Sequence, residues 1–159
     1  MSRLYEAIQL RNEGELVKSN ELLTSLVEET PGDALLNYQT AWSFDALGKE
    51  SAAIPYYERA LQIGLEEQDA IGALIGLGSS YRALGKYAES KEVLERGIEQ
   101  FPENNALKTF YAMTLYNVGE YERAMEVLLI CIAETSSDPH VVAYKKAIGF
   151  YANNLNTTW

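Results

Sequence analysis

LIGLGSSYRALGKYAESKEVLERGIEQFP, residues 74–102, is the stretch whose reading decides the fold. Leu74, Leu77, Gly78 and Tyr81 recur at helical spacing, Gly85 interrupts the pattern, and Leu94 continues it until Pro102 stops it. This spacing predicts two amphipathic helices joined by a tight glycine turn. Outside the stretch the same unit recurs. Gly14, Gly48, Gly85 and Gly119 stand in EGEL, LGKE, LGKY and VGEY, separated by 34, 37 and 34 residues. Such a period marks an array of supersecondary units.

The residues around each glycine repeat with it. Seven before it stand the small residues Ala7, Ala41, Gly78 and Ala112, and four before it the bulky Leu10, Phe44, Tyr81 and Leu115. Nine after it come Leu23, Tyr57, Leu94 and Leu128, and twelve after it Leu26, Ala60, Gly97 and Cys131. Alternating small and large positions on paired helices interlock as ridges and gaps. Pro31 and Pro102 each lie 17 residues past their glycine, and Leu65 takes that place in the second unit. Asp33 reads as an N-cap, and Asp138-Pro139 as an N-cap with proline at the first helical position. Three extra residues fall near Gly64–Asp69, where the acidic cluster suits a helix N-terminus. Pro55 lies several residues into a helix and implies a late start or slight bend rather than a break. One further helical pattern runs from Pro139 to Asn153 and carries Val142, Tyr144, Ile148 and Tyr151. Its Lys145 and Lys146 are expected to face solvent, and it suits the cap that an array needs over its last apolar face. Strand signals are absent, and about nine helices are expected.

Composition narrows the function classes. The 159 residues are 47% hydrophobic and 23% charged, which suits a folded domain or a short array. Lys and Arg number 13 against 23 Asp and Glu, a net charge of −10. A field of that sign opposes nucleic acid and anionic membrane, and is compatible with a basic partner or with plain solubility. Cys131 is the only cysteine, which excludes an internal disulfide and fits a reducing compartment. The N-terminal MSRLYEAIQLRNEGEL lacks the pattern of a signal peptide, and no apolar run nears the roughly 20 residues of a spanning helix. A cytoplasmic location is the expectation.

Residues 74–102 resemble the tetratricopeptide repeat signature W-x2-L-G-x2-Y, A-x3-F, P, with Leu74, Leu77, Gly78, Tyr81, Ser90, Leu94 and Pro102 at its positions. Ala53, Tyr57 and Ala60 match its second-helix positions, whereas Arg3 and Lys108 replace its tryptophan in the first and fourth units. The insertion followed by LGSSYRALGKY is similar to the bacterial group-five tetratricopeptide repeat domain, which brings no assigned activity. The resemblance implies an all-α fold, a right-handed α-solenoid of about four tetratricopeptide helix pairs plus a C-terminal capping helix. It implies one domain over residues 1–153, with repeats near 1–32, 33–66, 70–103 and 104–137, a cap over 138–153 and a tail over 154–159. It further implies a concave face lined by first helices that binds a peptide or protein segment. The lysine and asparagine that hold a chaperone's terminal carboxylate are missing; Leu4 and Ile8, or Tyr38 and Trp42, stand there instead.

Stepping by the period places the candidate peptide groove. Ile75, Ser79 and Arg82 lie opposite the stripe of Leu74, Leu77, Gly78, Tyr81 and Leu84 that packs on the second helix. Ile75 corresponds to Tyr38, Thr109 and Ala143; Ser79 to Trp42, Met113 and Ala147; Arg82 to Asp45, Tyr116 and Phe150. Asn117 flanks this set. Large apolar residues there suit a peptide groove, because aromatics supply contact area at low entropy cost. The alternative is that Tyr38 and Trp42 fill space between neighbouring first helices.

Catalytic readings lack a constellation. His140 is the only histidine, and Cys131 occupies a small, core-type position. No metal-ligand spacing occurs, so neither a metal nor a cofactor is expected. Gly76-Leu77-Gly78-Ser79-Ser80 lacks the lysine of a phosphate loop and falls within a helical pattern. Glu89, Glu92, Glu95 and Glu99, interleaved with Lys91 and Arg96, read as a solvated face whose Glu92–Arg96 pair is worth only about 0.3 kcal/mol. The expected function is a non-enzymatic interaction module. The alternative is a self-associating protein, a homodimer for instance, joined through repeat ends or by Leu155 and Trp159 of the tail.

Overall fold

A computed structural model describes residues 2–159 of the chain. Ten helices occur among the described residues, and no strand: α1 (Arg3–Asn12), α2 (Leu16–Glu29), α3 (Ala34–Ala46), α4 (Glu50–Ile63), α5 (Glu67–Ala83), α6 (Tyr87–Gln100), α7 (Asn105–Asn117), α8 (Tyr121–Thr135), α9 (Pro139–Ala143) and α10 (Lys145–Ala152). The chain divides into two compact units, Met1–Val93 and Leu94–Trp159.

Each long helix pair is closed by the same turn. At Gly85, between α5 and α6, φ is +74°, a left-handed conformation that a Cβ disfavours, and the equivalent glycines share its sign. This geometry lets the next N–H reach back across the helix end. Lys86 N–H donates to the Tyr81 carbonyl at 2.9 Å, as do Glu15 to Leu10, Lys49 to Phe44 and Glu120 to Leu115 at 2.8–2.9 Å. These are the six-to-one bonds of a Schellman cap, which satisfy a carbonyl that the helix end leaves open. The acceptors are the four bulky residues of the repeat pattern, so the turn and the packing register are set by the same positions.

The first unit is a succession of antiparallel helices, each packed against the next from α1 to α5, with α3 also touching α1 and α5. Its small positions permit close approach: Ala7, Ala41 and Gly78 are buried, beside Leu23, Tyr57 and Leu77. Where the signature calls for alanine on the second helix, the first and third turns carry serines. Ser19 Oγ donates to the Ala7 carbonyl and Ser90 Oγ to the Gly78 carbonyl, both at 2.7 Å and both in the interior. The hydroxyls lock the partner helix at its small residue, so the departure from the signature leaves no unsatisfied group. Elsewhere in this interior, Asn20 Nδ2 donates to Ser43 Oγ at 2.8 Å and Thr40 Oγ1 to the Leu36 carbonyl at 2.7 Å.

The second unit packs α7 on α8, with α9 and α10 against α8. Ala112, Leu115 and Ala124 form its core, joined by Tyr111, Val127 and Leu128. Asn104 caps α7 by accepting from Leu107 N–H at 2.9 Å, as Asp33 caps α3 by accepting from Leu36 N–H at 2.9 Å. Asp138 accepts from His140 and Val141 N–H, as its sequence context predicts. The single helix expected over 139–153 is two, because Tyr144 adopts φ −97° and ψ 11°, between the helical and extended wells. Lys145 and Lys146 are exposed.

Two further expectations shift. α4 begins at Glu50, ahead of Pro55 rather than late because of it. Ser51, whose carbonyl loses its donor to the proline ring, is exposed like Pro55 itself, so water can satisfy that oxygen. Leu84, expected on the buried stripe of α5, is exposed because it is the C-cap residue, past the last helical turn. The three inserted residues lengthen α5, which spans 17 residues against 13 in α3 and α7.

α5 accepts two tyrosines where it has glycines. A Cβ at Gly72 would lie 2.1 Å from Tyr38 Oη, and one at Gly76 2.4 Å from the Tyr57 ring. Gly72→Ala and Gly76→Ala are therefore expected to destabilise the protein by about 1–3 kcal/mol through overpacking, despite alanine's better helix propensity. Urea unfolding checks this. For Gly72 the nearest atom is the hydroxyl, so Tyr38→Phe should recover part of the loss in a double-mutant cycle.

Candidate functional site

The first helices of the first unit present a connected set of side chains rather than an apolar strip. Tyr38 is buried at 8% exposure, with its ring centroid 6.0 Å from Trp42 and 6.3 Å from Tyr57. It therefore supports its neighbours from below, in the manner of the space-filling alternative, and is not free to receive a ligand. Trp42, one turn further along α3, is 44% exposed. Above it lies Arg11 from the end of α1, whose guanidinium carbon is 3.8 Å from the indole centroid. Arg11 Nη2 donates to Gln39 Oε1 at 2.8 Å. Burial pushes the guanidinium below its ordinary value, and the Tyr38 and Tyr57 hydroxyls oppose that shift.

Asp45 is a structural node as well as a surface residue. Its Oδ2 accepts from Tyr57 Oη of α4 at 2.5 Å, and its Oδ1 lies 2.8 Å from Ser80 Oγ of α5. The Ser80 hydroxyl also lies 2.7 Å from the Gly76 carbonyl and has one proton for the two acceptors. One carboxylate thus ties α3, α4 and α5. Burial raises the Asp45 carboxyl above its ordinary value, the bonds from Tyr57 and Ser80 oppose this, and Glu50 adds to it. The Tyr57 phenol is pushed far above its usual range by burial first and by Asp45 second. Ile75, Ser79 and Arg82 on α5 are half-buried.

In the second unit the candidate residues are more open. Tyr116 is 63% exposed and meets Tyr121 edge-on at 5.2 Å. Met113 is exposed on the same helix, Asn117 is half-buried at its end, and Thr109 Oγ1 is engaged with the Asn105 carbonyl at 2.7 Å. Phe150 on α10 is exposed but not alone: its ring lies 5.5 Å from Tyr151 and 5.8 Å from Trp159. The tail therefore folds onto its own last helix, and Asn156 Nδ2 donates to Glu122 Oε1 at 2.5 Å. Cys131 is buried with its thiol pushed up by burial, and His140 is exposed on α9. Among the described residues no group of three or more His, Cys, Asp or Glu could hold a metal ion. No described helix is long and apolar enough to cross a membrane.

The groove positions step from the third unit to the second, the fourth and the capping segment, and do not include Arg11. The signal was available: Arg11 stands 34 residues before Asp45, at the equivalent place on the first helix. Gln39 carries no such signal, because it is reached only through the direction of the Arg11 side chain.

The family model described as Tetratrico peptide repeat matches residues 34–155. The chain is 28% identical over 94 residues to Superkiller protein 3 of Saccharomyces cerevisiae, covering 55% of this chain and 6% of that protein. It thus spans a small fraction of the curated relative it matches. Its structure is similar to one in the APC/C hetero-tetramer Cut9-Hcn1, with a TM-score of 0.75, 19% identity, and coverage of 92% of this chain and 29% of that one. It is also similar to YrrB, described as a TPR protein with an unusual peptide-binding site, with a TM-score of 0.71, 19% identity, and coverage of 97% and 77%. At such identities the likeness shows the fold alone, that of a tetratricopeptide solenoid.

Asp45 yields a test with a definite sign. A carboxyl whose folded-state pKa lies above its unfolded value binds its proton more tightly when folded. Its contribution is present at acid pH and lost as pH rises from the ordinary carboxylate value through the raised one. Wild type should lose stability relative to Asp45→Asn across that rise, as urea unfolding at a series of pH values will read. Asp45→Ala leaves the Tyr57 hydroxyl without its acceptor and should cost about 1–3 kcal/mol.

Proposed function

Because the chain belongs to the tetratricopeptide repeat family, whose members are generally protein–protein interaction modules, we propose that it is a non-enzymatic module that binds a peptide or protein segment through exposed side chains of the first helices within each unit. The observation that carries this reading is the exposure of Trp42 and Tyr116 at register positions where a merely solvated face would be polar. Each presents a rigid ring with a polar edge, the kind of group that dominates binding energy at interfaces. Trp42 is held from beneath by Tyr38, so little of its freedom remains to be lost on binding. The fold shared with YrrB, described as having a peptide-binding site, agrees with a segment as the ligand.

Self-association through the tail has less support. Trp159 already lies 5.8 Å from Phe150 and 6.0 Å from Tyr151 of its own chain, so exchange with a second copy would first have to break those contacts.

Trp42→Ala and Tyr116→Ala test the reading. Each is expected to weaken binding of peptides selected on the wild-type protein by roughly tenfold or more, with the fold intact by circular dichroism. Unchanged affinity in both variants, measured by fluorescence polarisation of a labelled selected peptide, would overturn it.

A further inference from the structure

Resting on the peptide-binding reading above, we infer that Arg11 anchors one carboxylate, the side chain of an aspartate or glutamate in the bound segment, at the edge of the Trp42 indole. Arg11 is a half-buried guanidinium in a chain of net charge −10, yet no carboxylate among the described residues pairs with it. Only Nη2 has a protein acceptor, the uncharged Gln39 amide oxygen. Nη1 is shut from solvent and has no acceptor among the described residues. The groups nearest in charge effect are the Tyr38 and Tyr57 hydroxyls, and burial disfavours the charged form that arginine nevertheless keeps. A cation in this state lacks the partner that half-buried charges ordinarily have.

The surroundings restrict what that partner can be. An acidic chain repels a polyanion, whereas a single carboxylate can accept charge-assisted hydrogen bonds from one guanidinium. Nη1 is enclosed beside the stack of guanidinium and indole, so the anion has to enter on a narrow stem. An aspartate or glutamate does so on its methylene stem while its own backbone stays outside. A terminal carboxylate, attached directly to Cα, would have to bring the main chain in with it.

Two pools of acetylated random heptapeptides, one C-terminally amidated and one with a free carboxyl, are selected on the immobilised full chain. Wild type should enrich the amidated pool in Asp or Glu at one position beside apolar residues. Arg11→Gln should lose the acidic enrichment and keep the apolar one, and an amidated acidic peptide should bind it roughly tenfold more weakly. Acidic enrichment that survives Arg11→Gln, its absence in wild type, or its restriction to the free-carboxyl pool would each overturn the inference while leaving the peptide-binding reading in place. No enrichment at all, or the same sequences on Trp42→Ala, would remove that reading and this inference with it. A second measurement does not depend on the folding of an Arg11 variant. In a Trp159→Phe background Trp42 is the only tryptophan. There, Ac-Ala-Glu-Ala-NH2 should change its emission and Ac-Ala-Gln-Ala-NH2 should not; equal responses would count against the inference.

Discussion

The left-handed glycine turn is the constraint on which the rest of the structure depends. Its six-to-one bond fixes where the first helix of a pair stops and how soon the second begins. With both fixed, the small residue seven positions before the glycine and the bulky residue nine after it keep the same register in every repeat. Ala7, Leu23, Ala41 and Tyr57 are all buried. Three inserted residues between the second and third turns do not disturb this relation, because they lengthen α5 at its start and leave Gly85 and its surroundings in register.

Several polar residues enter the interior with a partner of fixed position, whereas the Thr24 hydroxyl is enclosed without one. Ser19 and Ser90 bond to the carbonyl of the small residue opposite, and Asn20, Ser43 and Thr40 share bonds within the first unit. Asp45 extends this logic to a charge: it accepts from two helices and in return tolerates a raised pKa. Arg11 breaks the pattern. It has the burial of a structural residue and the hydrogen-bond deficit of a binding one.

Much of the fold was legible in the residues. The period of glycines, the caps at Asp33 and Asp138 and the alternation of small and large positions are local features, each read from a few adjacent residues. The exposed side chains were legible in part, since Trp42 in the first unit and Met113 and Tyr116 in the second stand where the period places them and are open to solvent. Tyr38, chosen by the same rule, is buried, because the space for its ring comes from Gly72 on a helix far away in sequence. Phe150 is equally a matter of context: its neighbours Tyr151 and Trp159 turn an apparent lone surface ring into a cluster.

The sequence by itself determined the repeat, the glycine turns and the caps at Asp33 and Asp138, because hydrogen-bonded turns and helical periodicity act over a few residues. Only the tertiary structure decided which residues of the first helices are open, which are buried and which charge lacks a counter-ion. Those properties depend on side chains 12 to 35 positions apart, as in Tyr57 and Ser80 on Asp45 or Arg11 on Gln39. Burial and pairing are sums over neighbours that a periodic pattern does not specify, and there the function of this chain has to be sought.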